Sequence, residues 1–279
     1  MNIDCFDGLP ELPDQSIDAI ITDLPYGQTA RNKWDLVLPM NEHLIVKDKP
    51  LYLDDYLLTS YKHGISYNEA ISYFSDNRNF GLWNHFNRII KPNGVIILFG
   101  NGIFTANLMK GNEKYWKYNI IWEKTQPTGF LNAKKMPLRS HEDMCIFYKK
   151  PPTYNPQMSS GHIRKVSKAI HKVGSKETLN YREHCLSDYD STERYPRSVW
   201  KFAKDSQKCP LHPTQKPVLL LEELIKTYTN LGNLVLDICG GSMSMAVAAI
   251  NTGRRYICYE KDKDIYDDGI RRIESLKFN

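Results

Sequence analysis

The stretch "NLVLDICGGSMSMAVAAINTGRRYICYEKD", Asn233 to Asp262, carries the architecture of this chain. A short β-branched run (234–240) leads into the small-residue turn "CGGS". A helix over 243–253 and a second strand over 255–262 follow, and that strand runs into an acid. Strand, helix and strand in that order form a right-handed crossover between parallel strands. The first strand delivers Asp237 to the turn, where Gly240, Gly241 and Ser242 let a ligand approach the backbone. The second presents Glu260 where a carboxylate can accept both hydroxyls of a ribose. A unit of this kind serves a dinucleotide or another nucleoside-bearing ligand equally well, although no GxGxxG is present.

Working outward, "TQKPVLLLEELIKTYTN" (214–230) has the spacing of an amphipathic helix. Near the start, "IDAIITDLPYG" (17–27) is an apolar strand (17–22) that ends abruptly in Asp23. "LWNHFNRII" (82–90) has helical spacing, "KPNG" (91–94) is a stop and turn, and "VIILFG" (95–100) is another buried strand. Two more strands are expected at 115–124 and 144–150, with a polar loop between them. A last helix fits 263–276. The stretch 151–208 has neither period and is expected to be irregular, and 41–80, with five tyrosines, is an excursion from the main body.

The chain has 279 residues, 41% hydrophobic and 25% charged, which suits one large α/β domain with a small insert. Its net charge of +5 is unevenly placed. Residues 110–208 hold 20 Lys/Arg against 10 Asp/Glu, and the remainder holds 17 against 22. That asymmetry fits a nucleic-acid-facing module on a catalytic body, or a solvated lysine-rich surface. No apolar run approaches the roughly 18 residues of a membrane span. The acidic start "MNIDCFDGLPELP" lacks the basic opening of a signal peptide, so a cytoplasmic protein is expected. Six scattered cysteines read as reduced thiols, and no metal site is expected.

"TDLPYG" (22–27) resembles the Asp-Pro-Pro-Tyr tetrad of exocyclic-amine DNA methyltransferases, and "HPTQKP" (212–217) before "VLDICGGS" (235–242) resembles their cofactor half. Catalytic tetrad, basic variable region, HPTQKP and glycine turn follow the order of the β subgroup. "HED" (141–143) and "RYPRSVWKF" (194–202) are similar to its connecting elements. The likeness spans nearly the whole chain apart from 41–80 and is nearest to phage and prophage adenine-N6 enzymes. It implies a Rossmann-like methyltransferase fold: a seven-stranded, mostly parallel sheet flanked by helices, in circularly permuted order, with a small target-recognition insert. It divides the chain into a catalytic half (1–150), a target-recognition region (151–208) and a cofactor half (209–279).

The chemistry implied is methyl transfer from S-adenosylmethionine to the N6 amine of an adenine swung out of double-stranded DNA. That amine is a weak nucleophile because its lone pair is conjugated into the ring. Asp23 accepts one of its N–H bonds and the Leu24 carbonyl the other, which frees the lone pair. Leu24 replaces the usual proline, but the resemblance assigns that position only its carbonyl. Pro25 stiffens the turn and Tyr26 offers a ring face for stacking, worth about 1–3 kcal/mol.

By the same resemblance, His212, Thr214 and Lys216 serve the cofactor, with Lys216 meeting its methionine carboxylate. Asp4 is either an acid facing the cofactor's adenine or a surface loop acid, and Phe99 lies at the switch point or is plain core. Candidate DNA contacts are Lys134, Lys135 and Arg139 in the loop 125–140, with Arg164, Lys165, Arg194 and Arg197 beyond it.

The family turn commonly reads Gly-Ser-Gly-Thr/Ser, so Met243 stands where a glycine is usual. We place Met243 in the first helical turn, where methionine is a good helix former; at a positive-φ position it would cost affinity. Alternatives are a cytosine-N4 enzyme, a DNA-binding relative that has lost catalysis, and a methyltransferase for small molecules or proteins. The resemblance also allows a homodimer, a restriction–modification role and a phage-infected or bacterial cell as the setting.

Overall fold

β1 (Ile17–Thr22) is buried at every position except Asp18, as a strand covered on both faces must be. Ala19 and Ile21 point into one core, Ile17 and Ile20 into the other. The computed structural model describes residues 1–26, 81–169, 187–205 and 215–276. Excursion 41–80, His212 and Thr214 lie outside the described residues. Two compact units are present, Met1–Asn155 with Ser198–Asn279, and Pro156–Arg197.

The larger unit contains α1 (Cys5–Gly8), β1, α2 (Leu82–Ile89), β2 (Ile90–Gly100), α3 (Ile103–Gly111) and β3 (Trp116–Thr128). β4 (Arg139–Phe147) completes its first part. In the smaller unit, β5 (Lys165–Ser167) and β6 (Tyr189–Ser191) pair antiparallel. The larger unit resumes with β7 (Val199–Phe202), α4 (Val218–Tyr228), β8 (Leu234–Asp237), α5 (Ser244–Asn251), β9 (Arg255–Cys258) and α6 (Lys263–Ser275).

Its seven strands lie in the order β7-β3-β4-β2-β1-β8-β9, and only β4 runs against its neighbours. This is the mostly parallel, seven-stranded α/β sheet expected. β8 comes late in the chain yet lies beside β1, which gives the permuted order. From β1 the sheet grows toward β2, and from β8 toward β9, so a topological switch point lies between β1 and β8. Leu220, Leu224 and Ile225 of α4 and the alanines of α5 cover one face, and Leu82, Phe86, Ile89 and Leu108 of α2 and α3 cover the other.

Three local expectations are corrected. "KPNG" does not turn the chain: Ile17 pairs with Ile90 and Ala19 with Val95, so residues 91–94 form a bulge within β2. Gly94 permits it, because a Cβ there would stand 2.8 Å from the Asp18 carbonyl oxygen. Val199–Phe202, inside the stretch expected to be irregular, pairs parallel with β3. Four residues are too few to show a period, but the Trp122 indole donates to the Phe202 carbonyl at 3.0 Å and seats the strand.

The third correction concerns Met243, which is not in the helix. It caps α5 in the left-handed region (φ 58°, ψ 29°) and is 1% exposed. Room for it comes from Gly269 in α6, where a Cβ would stand 2.4 Å from Met243 Cγ. The methionine therefore adopts a positive φ at a position where the family commonly has glycine, and sends its side chain into the core.

Candidate active site

Asp23 leaves the end of β1 at the carboxyl edge of the sheet, the edge where open α/β sheets bind ligands. The Tyr26 hydroxyl donates to Asp23 Oδ1 at 2.8 Å, and the Lys216 ammonium pairs with Oδ2. Lys216 also stands 3.3 Å from Glu142 Oε2, and Lys124 pairs with the other oxygen of Glu142. Two carboxylates and two ammonium groups thus alternate in a mostly buried, neutral row: Asp23, Lys216, Glu142, Lys124. The Lys216 ammonium also lies 5.1 Å from the ring centroid of buried Phe99 and 5.9 Å from that of Tyr26.

The row sets the protonation states. Burial would lower the Lys216 ammonium, but Asp23 and Glu142 outweigh it and hold the group above its ordinary value. Burial would raise Glu142, but Lys216 and Lys124 hold it below the usual carboxylate range. Burial pushes Asp23 up, with Lys216 opposing the rise and Glu142 adding to it. Tyr26 is pushed well above its ordinary value by burial and by Asp23, so it remains a hydroxyl donor.

Leu24 is buried on the α2 side of the sheet, so its side chain anchors the strand end. The Tyr26 ring is tilted against Phe104 at 4.8 Å between centroids, which fixes it from one side.

Asp237 ends β8 next to β1. It accepts from the Thr22 hydroxyl at 2.8 Å and from Cys239 N at 3.0 Å, tying β1 to the glycine turn. Burial raises its carboxyl to about 7. Glu260 follows β9 and accepts from Gly241 N at 2.8 Å, which brings acid and turn together. Gly240 is tightly enclosed, since a Cβ would meet Met243 Sδ at 3.0 Å and the Tyr259 carbonyl oxygen at 3.2 Å. Asp4 caps α1 through Phe6 N at 3.0 Å and pairs with Lys261 at 2.8 Å, beside the Ile3 N to Glu260 O bond of 3.1 Å. Ser242 instead faces α6, where Arg272 donates to its carbonyl at 2.9 Å.

The DNA-facing candidates divide. Lys134, Lys135 and Arg139 are exposed between and at the start of the long β3 and β4 strands. Within the smaller unit, Arg164 makes a two-pronged pair with Asp190 at 2.7 and 2.6 Å. Arg194 donates to the carbonyls of Ser191 and Glu193 at 3.0 and 2.7 Å. Both build the unit itself, while Lys165 and Arg197 are exposed.

Two polar groups at the site are not singled out by the sequence. Gln215 is 8% exposed, and among the described residues neither end of its amide has a hydrogen-bond partner. Glu142 Oε2 is buried without a directed hydrogen bond. Both residues sit inside motifs, "HPTQKP" and "HED", whose neighbouring residues carry the more obvious chemistry. Among the described residues no cluster could hold a metal ion, and no helix is long and apolar enough to cross a membrane.

Comparison with known proteins accords with this geometry. The family model of the DNA methylases, covering both N6 and N4 enzymes, matches residues 17–271. The chain belongs to the DNA methylase family. Among curated methylases it is similar to the Type II methyltransferase M.HinfI of Haemophilus influenzae, at 26% identity over 99% of this chain and 68% of that protein. The DNA adenine methyltransferase YhdJ of Escherichia coli (strain K12) is 34% identical over 37% of this chain and 36% of its own.

Solved structures share the methylase fold. The M1.HpyAVI–SAM complex has a TM-score of 0.54 at 19% identity, covering 98% of both chains. The cytosine-N4-specific PvuII DNA methyltransferase has a TM-score of 0.57 at 16% identity, covering 97% of this chain and 84% of that one.

Proposed function

We propose that this methylase transfers a methyl group from S-adenosylmethionine to the N6 amine of adenine in double-stranded DNA, with Asp23 as the acceptor that activates the amine. The observation that carries the reading is Asp23 at the end of β1, held by Tyr26 and Lys216 next to the β8 glycine turn. The adenine choice rests on Asp at the head of "DLPY", since the cytosine group often has Ser there, and on similarity to YhdJ, a DNA adenine methyltransferase.

The residues present fit the cofactor. Glu260, Gly241 and Asp237 place two carboxylates around the turn, and the amide of Gln215, buried without a hydrogen-bond partner among the described residues, adds a polar contact next in sequence to Lys216. Asp237, Gly240, Gly241, Glu260 and Gln215 would hold it, with Asp4 near the adenosine end. Bound there, S-adenosylmethionine would supply an electrophilic methyl group, its sulfonium becoming the neutral thioether of S-adenosylhomocysteine.

The chain's own part is to arrange acceptors. Asp23 and the Leu24 carbonyl take the two N–H bonds of the amine, and Tyr26 stacks on the base. Without a ligand, Lys216 pairs with the Asp23 oxygen that the amine needs. The amine displaces that bond, and Lys216 shifts toward Glu142 Oε2, which is buried, close and lacks a directed hydrogen bond. The ammonium then remains near enough to keep Asp23 ionised.

The motif order supports the β subgroup and a phage or prophage type, with residues 151–208 as the target-recognition region. Similarity to M.HinfI, a Type II methyltransferase, supports a modification enzyme paired with a restriction activity. We place it in the cytoplasm of a bacterial or infected cell, as a homodimer. Methylome sequencing of DNA from expressing cells tests the reading: N6-methyladenine in one sequence context is expected. N4-methylcytosine would transfer the reading to the N4 group, and unmodified DNA would overturn it.

A further inference from the structure

The β3–β4 hairpin runs past the catalytic edge of the sheet. The last rung between β2 and β4 joins Gly100 to Asp143, yet β4 begins at Arg139 and β3 continues to Thr128. At about 3.3 Å per residue, its strands stand roughly 10 Å beyond that edge. Its root is the catalytic row itself, through Glu142 and Lys216. At its tip, Gly129 (φ 91°) opens a single turn of 3₁₀ helix, Phe130–Asn132.

Phe130 is 81% exposed and Leu131 97%, two adjacent large apolar side chains standing in water. The tip residues 125–140 contain Lys134, Lys135 and Arg139 and no acid. Bare apolar groups framed by cations match a nucleic-acid duplex, whose phosphates pair with the cations while its stacked bases admit an apolar wedge. A second copy of the chain fits less well, because two such tips meeting would set like charges together.

We propose that Phe130 and Leu131 form a wedge that enters the duplex beside the extruded base, with Lys134, Lys135 and Arg139 on the flanking phosphates. The inference rests on the DNA-methyltransferase reading above and gives a physical source for part of the cost of opening a base pair, a few kcal/mol.

The test compares the wild-type chain with Phe130→Ser/Leu131→Ser and with Lys134→Ala/Lys135→Ala, all at exposed positions. The substrate is sheared bacterial genomic duplex, a mixture that offers every short target sequence at once. The wedge variant is expected to lose about ten-fold or more in single-turnover methylation and in duplex affinity. Its dependence of affinity on salt, its cofactor affinity and its sedimentation remain as in wild type. The lysine variant is expected to flatten the salt dependence, by about 0.9 in the logarithmic slope for each phosphate it no longer neutralises. Unchanged rate and affinity in the wedge variant would overturn the inference. So would a changed sedimentation coefficient, which would show that a second copy covers the tip. If the wild-type chain binds duplex without methylating it, the activity reading fails, while the affinity contrast still decides the wedge.

Discussion

The ammonium of Lys216 rests on the carboxylate of Asp23 across 193 positions of sequence, with Glu142 on its other side at 3.3 Å. The acceptor that the chemistry needs is therefore occupied, and the group that occupies it has somewhere to go. For Glu142→Gln we expect a cofactor affinity close to wild type and a kcat lower by about ten-fold or more, the scale of a lost positioning interaction. Glu142 also contributes to the raised pKa of Asp23, so its loss should move the acid limb of the rate profile to lower pH. A variant with unchanged kcat, or with cofactor affinity and kcat falling together, would reduce Glu142 to a structural partner of Lys124.

Leu24 separates backbone from side chain. Only its carbonyl is assigned to the amine, whereas its side chain is 2% exposed in the core beside α2. Leu24→Ala should cost about 2–5 kcal/mol in urea unfolding while turnover per folded molecule stays near wild type. A large loss of turnover in fully folded protein would assign the side chain a part in the reaction.

Met243 and Gly269 form a matched pair. Gly269→Ala drives a Cβ to 2.4 Å from Met243 Cγ and should cost about 1–3 kcal/mol. In Met243→Gly, relief of a φ of 58° competes with emptying a buried site that borders an apolar cavity of about 200 Å³, and the loss of packing should prevail. The two changes together should be less destabilising than their sum, a coupling that a double-mutant cycle by thermal unfolding would read. Simple additivity would contradict the pairing.

Asp237 predicts a pH dependence for the ligand-free protein. Its folded pKa of about 7 lies above the unfolded value of 3.8, so the folded state binds more protons between those limits. Stability from this group is therefore present below about pH 4 and is lost as pH rises toward 7, at about 1.4 kcal/mol per pH unit. Asp237→Asn keeps an acceptor for Thr22 and Cys239 and should flatten that part of the melting-temperature profile. An unchanged profile would show that the carboxyl ionises normally.

Much of this was legible in sequence for physical reasons. Buried parallel strands are apolar at nearly every position, so "IDAIIT" and "VIILFG" announced themselves, and the glycine turn with its two acids marked the ligand edge. Four-residue β7 was too short to declare a period. The bulge at 91–94 is made of the same residues that build turns, and only the pairing of β1 with β2 distinguishes the two. Lys216 was visible as a motif residue, but its partners Asp23 and Glu142 come from distant positions and meet only in the folded sheet. The left-handed backbone at Met243 was hidden because its remedy, Gly269, lies in another helix.

The central claim is that Asp23 activates the N6 amine of adenine. Its most direct test is mass spectrometry of nucleosides from duplex DNA incubated with cofactor and either wild-type or Asp23→Ala protein, both checked for folding and cofactor affinity. The account predicts N6-methyladenine with wild type and about a hundred-fold less or lower still with the variant, at equal cofactor affinity. N6-methyladenine formed by Asp23→Ala at the wild-type rate would contradict it.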